Sequence, residues 1–219
     1  MAHEEAIKPA AVQYAPAPAT PVGNPVPLGL FGFGTATFVL SCLNAGIFGL
    51  SVTTPPNIVI GIAIFYGGIA QILASMWAFK AGSTFAATAF GSYGSFWLSY
   101  AVILIPWFGV LDSYTGYERD VGSALGVFIL GFAIFSFLMW FATLRTNIAL
   151  SALFVFLTIT FTLLSIAEFK RADGLKWKRA GGFFGIFTAI NAWYVALAGL
   201  LTHETAPFTL PLGPLTKTH

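Results

Sequence analysis

Charge is scarce in this sequence. Asp, Glu, Lys and Arg make up 8% of the 219 residues, while hydrophobic residues make up 57%. Soluble domains carry about 25% charged residues. A chain this poor in charge cannot clothe a water-facing surface, so it reads as an integral membrane protein. Its mean hydropathy of +0.83 agrees. A net charge of +2 is too small to point to nucleic acid as a partner. Cysteine is nearly missing too. Cys42 has no intramolecular disulfide partner and sits in an apolar run as a small core residue. There is no Asn-x-Ser/Thr acceptor for N-glycosylation. The Ala/Pro-rich start lacks a basic-then-apolar leader, so the first apolar span is expected to act as its own insertion signal.

Catalytic groups are lacking where a membrane enzyme needs them. No His, Asp, Glu, Lys or Arg lies well inside an apolar span, which removes a general acid, base or metal cluster from the bilayer. His3, His203 and His219 fall in or near the tails, and Glu168 and Arg145 sit at span ends where long side chains snorkel. No phosphate-cradling loop is present, so an ATP-driven pump is not expected. The expectation is a protein that is not an enzyme and needs no cofactor and no metal.

Six apolar spans are present. Residues 1–23 are expected to form a disordered, cytosolic-type tail, since APAPATP has nothing to bury. Residues 24–203 form the membrane unit and 204–219 a short tail kept from helix by Pro207, Pro211 and Pro214. Asn24 caps the first helix, with Pro25 and Pro27 in its first turn; this helix is read to about Leu50. Span two runs roughly from Ile58 to Phe79, span four from Val121 to Leu144, span five to about Ala167 and span six from about Gly181 to Thr202. Arg145-Thr146-Asn147 is a tight turn that makes spans four and five an antiparallel pair, and 168–179 reads as the most charged loop. The fold class is therefore all-α integral membrane, with six transmembrane helices around a central solute path in each subunit.

Neutral donors and aromatics remain as the available chemistry. Between Ser83 and Pro106 no side chain is charged, and Thr84, Thr88, Ser92, Ser95 and Ser99 recur at helical spacing as a hydroxyl stripe. Gly91 and Gly94 beside it would let another helix come close. Tyr93, Phe96 and Tyr100 lie about 100° round the same helix. On span one, Phe33, Thr37, Ser41 and Asn44 share a face, and Asn44 reads either as packing glue or as pore lining. Span two holds Tyr66 and Gln71, and span six holds Asn191. Such groups can replace part of the hydration of a small carboxylate without a fixed cation. They cannot strip an anion completely, so the path should be partly wet, with an aromatic or aliphatic constriction as its barrier. A proton moving with the solute is then expected to ride on the acid or on water.

Taken together and in this order, NPVPLGL, FYGGIAQI and GSTFAATAFGSYGSFW resemble the acetate uptake transporter family, also called succinate–acetate permease or YaaH-like. The resemblance runs from about Asn24 to Gly213, and IPWFG and AWYVALAG give it a fungal cast. It implies a plasma-membrane, multi-pass carrier or channel for acetate and related short-chain monocarboxylates, with succinate possible. It also implies proton symport or anion-channel behaviour and a homohexamer. The family's hydrophobic constriction maps onto Phe33, Tyr93 and Leu157, and a position that sets substrate size maps onto Ala192. The binding or lining candidates are Asn24, Thr37, Asn44, Tyr66, Gln71, Ser92, Asn191 and Ala192. Lys and Arg gather in the 168–179 loop, which by the positive-inside rule puts that loop in the cytosol. The resemblance implies cytosolic termini instead, and we adopt it because a basic loop can gather anions at an outer mouth. The same uncharged lining also fits an ammonia or neutral-solute pathway, and a non-transporting membrane scaffold is the third reading.

Overall fold

The computed structural model describes residues 22–170 and 173–215. The expected tail at 1–23 therefore falls almost wholly outside the described residues, as do Arg171, Ala172 and the last four positions. Among the described residues there is no strand, and the chain is helical: α1 (Val26–Ala45), α2 (Val59–Ile64), a π-helical segment (Phe65–Ala70), α3 (Gln71–Lys80), α4 (Thr84–Leu104), α5 (Glu118–Phe141), α6 (Ile148–Lys170) and α7 (Leu175–Leu200). The pieces of the second span run on from one another, so six membrane-crossing segments result. Five are long and apolar enough to cross by length and composition. The remaining one, α4, has 21 residues; its hydroxyls, tyrosines and glycines dilute its hydropathy.

Local chemistry sets the ends of the helices. Asn24 Oδ1 accepts from Val26 N–H at 3.1 Å, and Pro27 occupies the first turn of α1, where a missing N–H leaves no gap. The first helix does not reach Leu50. It stops at Ala45 because Gly46 turns left-handed, φ 65°, and its N–H closes on the carbonyls of Cys42 and Leu43. Ser83 caps α4 by accepting from Ala86 N–H at 3.4 Å, and Asn147 caps α6 by accepting from Leu150 N–H at 2.8 Å. Ile105 precedes Pro106 and is extended, which ends α4. The charged stretch expected as a loop is mostly helical: α6 continues to Lys170 and α7 begins at Leu175, so Lys176, Lys178 and Arg179 ride on a helix end. Helix outside the bilayer core tolerates charge, and apolarity therefore underestimates its length.

α1 is the central element. It packs on α7 along one side and on the π segment, α3 and α4 along the other; α7 continues onto α6, and α6 onto α5. Small residues set these distances. A Cβ on Gly182 would meet the backbone of Ala45 and Asn44, and one on Gly185 would meet Ser41 Oγ. On the other side, a Cβ on Gly67 would lie 2.9 Å from Ala36 Cβ and 2.8 Å from the Trp97 ring. Gly91 and Gly94 of α4 do allow a close neighbour, backing onto Ser75 and Ile72. The segment after α7 folds back over the α5–α6 turn: Ile148 N–H donates to Gly213 O at 2.7 Å and Tyr194 Oη–H to Pro211 O at 2.6 Å.

Candidate functional site

Two cavities lie end to end along α1. The terminal vestibule, about 340 Å³, is lined by Asn24, Ser83, Asn147 and Leu212 at one end, and by Gln71, Phe90 and Phe154 further along. The far vestibule, about 250 Å³, runs from Leu157 and Phe161 past Thr37, Ser41, Asn44 and Thr160 to Tyr100, Glu168 and Lys178 at the opposite end. Phe33 lines both. It is 3% exposed, and its ring centroid stands 5.4 Å from that of Tyr93. Tyr93 lines the terminal vestibule and Leu157 the far one. Of the three residues named as a constriction, Phe33 and Tyr93 are in ring contact, and Leu157 lines the far vestibule with Phe33.

Tyr93 is held by its surroundings. Its hydroxyl lies 2.8 Å from Ser136 Oγ, and Ser136 donates its own proton to Phe132 O at 2.7 Å. A serine has one proton to give, so Tyr93 is the donor in the first bond. The hydroxyl is thus spent on α5, and the ring alone faces the junction. Phe135, Phe154 and Phe161 surround it at centroid distances of 5.4, 6.3 and 6.4 Å. Span four's Phe128 and Phe132 pack inward on Phe96, at 5.6 and 4.8 Å.

The lining candidates divide. Thr37 and Asn44 line the far vestibule on one face of α1 with Ser41, as the helical spacing predicts. Asn24 stands at the terminal mouth while capping α1. Gln71 lines the terminal vestibule, fully buried, and its amide nitrogen and oxygen have no hydrogen-bond partner. Four candidates line neither vestibule. Tyr66 is in the π segment, its carbonyl 2.5 Å from where a Gly32 Cβ would be, at the α1 crossing. Ser92 opens onto a shallow outer groove with Ser95, Gly131 and Phe135. Thr84, Thr88, Ser95 and Ser99 are exposed, so the hydroxyl stripe faces outward. Asn191 ties α7 to α6, its Nδ2–H donating to Ala149 O at 3.0 Å. Ala192 is fully buried in the core. Thr160 and Trp97, which the sequence pattern did not single out, both line the far vestibule. Thr160 was masked by the neighbouring stripe of Ser151, Thr158, Thr162 and Ser165; of these, Ser165 bonds Gly126 O and Ser151 accepts from Trp140 Nε1.

A sequence profile of the GPR1/FUN34/yaaH family matches residues 6–217. The chain belongs to this family. Among its GPR1/FUN34/yaaH relatives is the Saccharomyces cerevisiae protein named Ammonia transport outward protein 2, 46% identical over 202 residues, covering 90% of this chain and 70% of that one. The Escherichia coli protein named Succinate-acetate/proton symporter SatP is 37% identical over 195 residues, covering 89% and 97%. A solved structure described as the bacterial acetate channel SatP superposes with a TM-score of 0.75 at 37% identity, covering 87% of this chain and 99% of that one. The family is one of membrane transporters and channels, in keeping with the apolar helices.

Proposed function

We propose that this protein moves acetate and related short carboxylates, succinate among them, across the plasma membrane along the two vestibules, linked to proton movement. The observation that carries the reading is one ring, Phe33, standing between two cavities in a member of a family that includes an acetate channel. Phe33, Tyr93 and Leu157 form the barrier. Thr37, Asn44, Gln71 and Asn24 replace waters on either side of it, each by a neutral dipole. No Asp, Glu, His or Lys lines the path between Glu168 and the terminal mouth among the described residues. The proton therefore travels on the acid or on water. Residues 24–203 act as the transport unit, with Leu212 from the folded-back segment reaching its terminal mouth. Six copies assemble, with cytosolic termini. The exposed hydroxyl face of α4, with the shallow groove lined by Ser92, Ser95 and Gly131, is where a second copy would pack.

Purified protein in vesicles tests this directly. Labelled acetate should enter down its gradient and be competed by short acids but not by their amides. Vesicles tight to every short-chain acid under any gradient would refute the proposal. A second reading, ammonia movement, is favoured by the name of the yeast relative; ammonia flux without acetate flux would select it.

Gln71 offers a finer check. Leucine is a near match to Gln71 in volume but makes no hydrogen bond. Gln71→Leu should therefore fold and should lower acetate kcat/KM by roughly tenfold or more, because a hydrogen bond to a charged group is worth about 1.5–3 kcal/mol. A folded Gln71→Leu protein with unchanged uptake would make Gln71 a packing residue alone.

A further inference from the structure

Glu168 and Lys178 are the charged residues among those lining the two vestibules, and both stand at the far mouth. Glu168 lies in the last turn of α6 and Lys178 in the first turn of α7, two packed helices, and both side chains line the same cavity end. The same two side chains line a second hollow of about 290 Å³ with Val121, Gly122, Ala167, Gly174 and Leu175. They thus occupy, at the mouth, the shared position that Phe33 holds at the centre. Both are half-buried. Their charges act on one another, yet no ion pair within 4.0 Å joins them among the described residues. Tyr100 is also in the wall of the far vestibule.

We propose that Lys178 is an entry site for the carboxylate anion, held open by Glu168 across the mouth. This rests on the carboxylate reading above. A lysine ammonium is a compact point charge with three donors on a flexible stem, suited to catching a carboxylate and letting it go. Further in, every polar group of the far vestibule is neutral, so an anion arriving there from water lacks a fixed countercharge. Lys178 supplies one at the threshold. Glu168 opposes the anion and keeps Lys178 from retaining it, so capture stays weak enough for release inward, as conduction requires. The neighbouring Lys170, Lys176 and Arg179 line neither vestibule and serve as internal comparisons.

Two measurements test the site. In the first, an amine-acylating reagent is applied to the detergent-purified protein and modification is read by mass spectrometry. Acetate should protect Lys178, acetamide should not, and Lys170 and Lys176 should react equally in both. Equal reaction of Lys178 with and without acetate overturns the proposal whether or not the protein transports. In the second, uptake into vesicles is measured against acetate at low and high salt. Lys178→Gln should raise KM about tenfold, the size of one charge-assisted hydrogen bond, with little change at saturation, and should flatten the salt dependence. Lys178→Arg should restore both, and Glu168→Gln should lower KM. An unchanged KM and salt dependence in Lys178→Gln also overturns it. Protection at Lys178 in a protein that moves no acid would leave the entry site standing and remove the transport reading.

Discussion

Phe33→Ala is expected to let acids longer than acetate pass at rates approaching that of acetate itself, and to raise acetate flux about tenfold. Phe33 alone lines both vestibules, and its ring lies against Tyr93 at 5.4 Å. Removing the ring joins the cavities into one wet passage. A carboxylate crossing the intact junction must give up waters there, and each hydrogen bond left unmade costs about 1–3 kcal/mol. Keeping one more water through the junction is therefore worth roughly tenfold in rate. The same substitution creates a cavity in a core position and should cost about 3–5 kcal/mol of stability. Phe132→Ala separates the two effects. Phe132 packs on Phe96 at 4.8 Å and lines neither vestibule, so it should lower stability comparably while keeping the acid-size profile. Uptake across a ladder of straight-chain acids is the measurement. If Phe33→Ala and Phe132→Ala show the same size cut-off, Phe33 is only a core residue.

The polar face of α1 was legible because an amide and a helical period constrain it, whereas Phe33, Tyr93 and Leu157 were named as a constriction through the family resemblance alone. The side-chain amides of Asn44 and Gln71 each carry two donors and an acceptor, more than their own helix can satisfy, so a buried amide must also meet water, solute or a partner. Both line a vestibule, while Asn191 found its partner in Ala149 O. Hydroxyls are less informative. Ser95 donates to Gly91 O at 2.8 Å, Thr158 to Phe154 O at 2.7 Å and Thr162 to Thr158 O at 2.8 Å, each within its own helix. A hydroxyl that satisfies itself one turn back sits comfortably against lipid or protein. The spacing of Ser92 and Ser95 therefore marked a face but not its direction, and the face points outward. Hydropathy is equally silent, since lipid and core are both apolar. The π segment at Phe65–Ala70 is invisible to the pattern for a related reason: an α-helical period describes both of its flanks. One inserted residue rotates the remainder of the helix by about 100°, and such bulges gather at functional sites. Here the bulge ends next to Gln71, which lines the terminal vestibule, and Gly67 within it packs against the Trp97 ring.

Gly182→Val should abolish the folded protein or, where some folds, reduce acetate uptake more than tenfold. The reason lies in the seam between α1 and α7. A Cβ at 182 would enter the space of Ala45 N and Cα, and one at Gly34, facing the other way, would come within 2.8 Å of the Trp193 ring and 3.2 Å of Ala189 O. Side chains can rotate away from an intruding methyl, but a backbone cannot, so the helices themselves must separate. Overpacking costs about 1–3 kcal/mol where neighbours adjust, and more where they do not. Separation also moves the element that carries Phe33, Thr37, Ser41 and Asn44, so every group that α1 contributes to the path shifts together. Once the working geometry lies about 1.4 kcal/mol above the separated one, only about a tenth of the molecules hold it, and flux falls in proportion. Gly61→Val is the matched control, since a Cβ there meets nothing within 4 Å. Its yield, melting temperature and uptake should stay near those of the parent protein. Monodisperse yield from detergent extracts, together with vesicle uptake, reads both effects, and a Gly182→Val protein that behaves like Gly61→Val would mean the seam has slack that its glycines do not reveal.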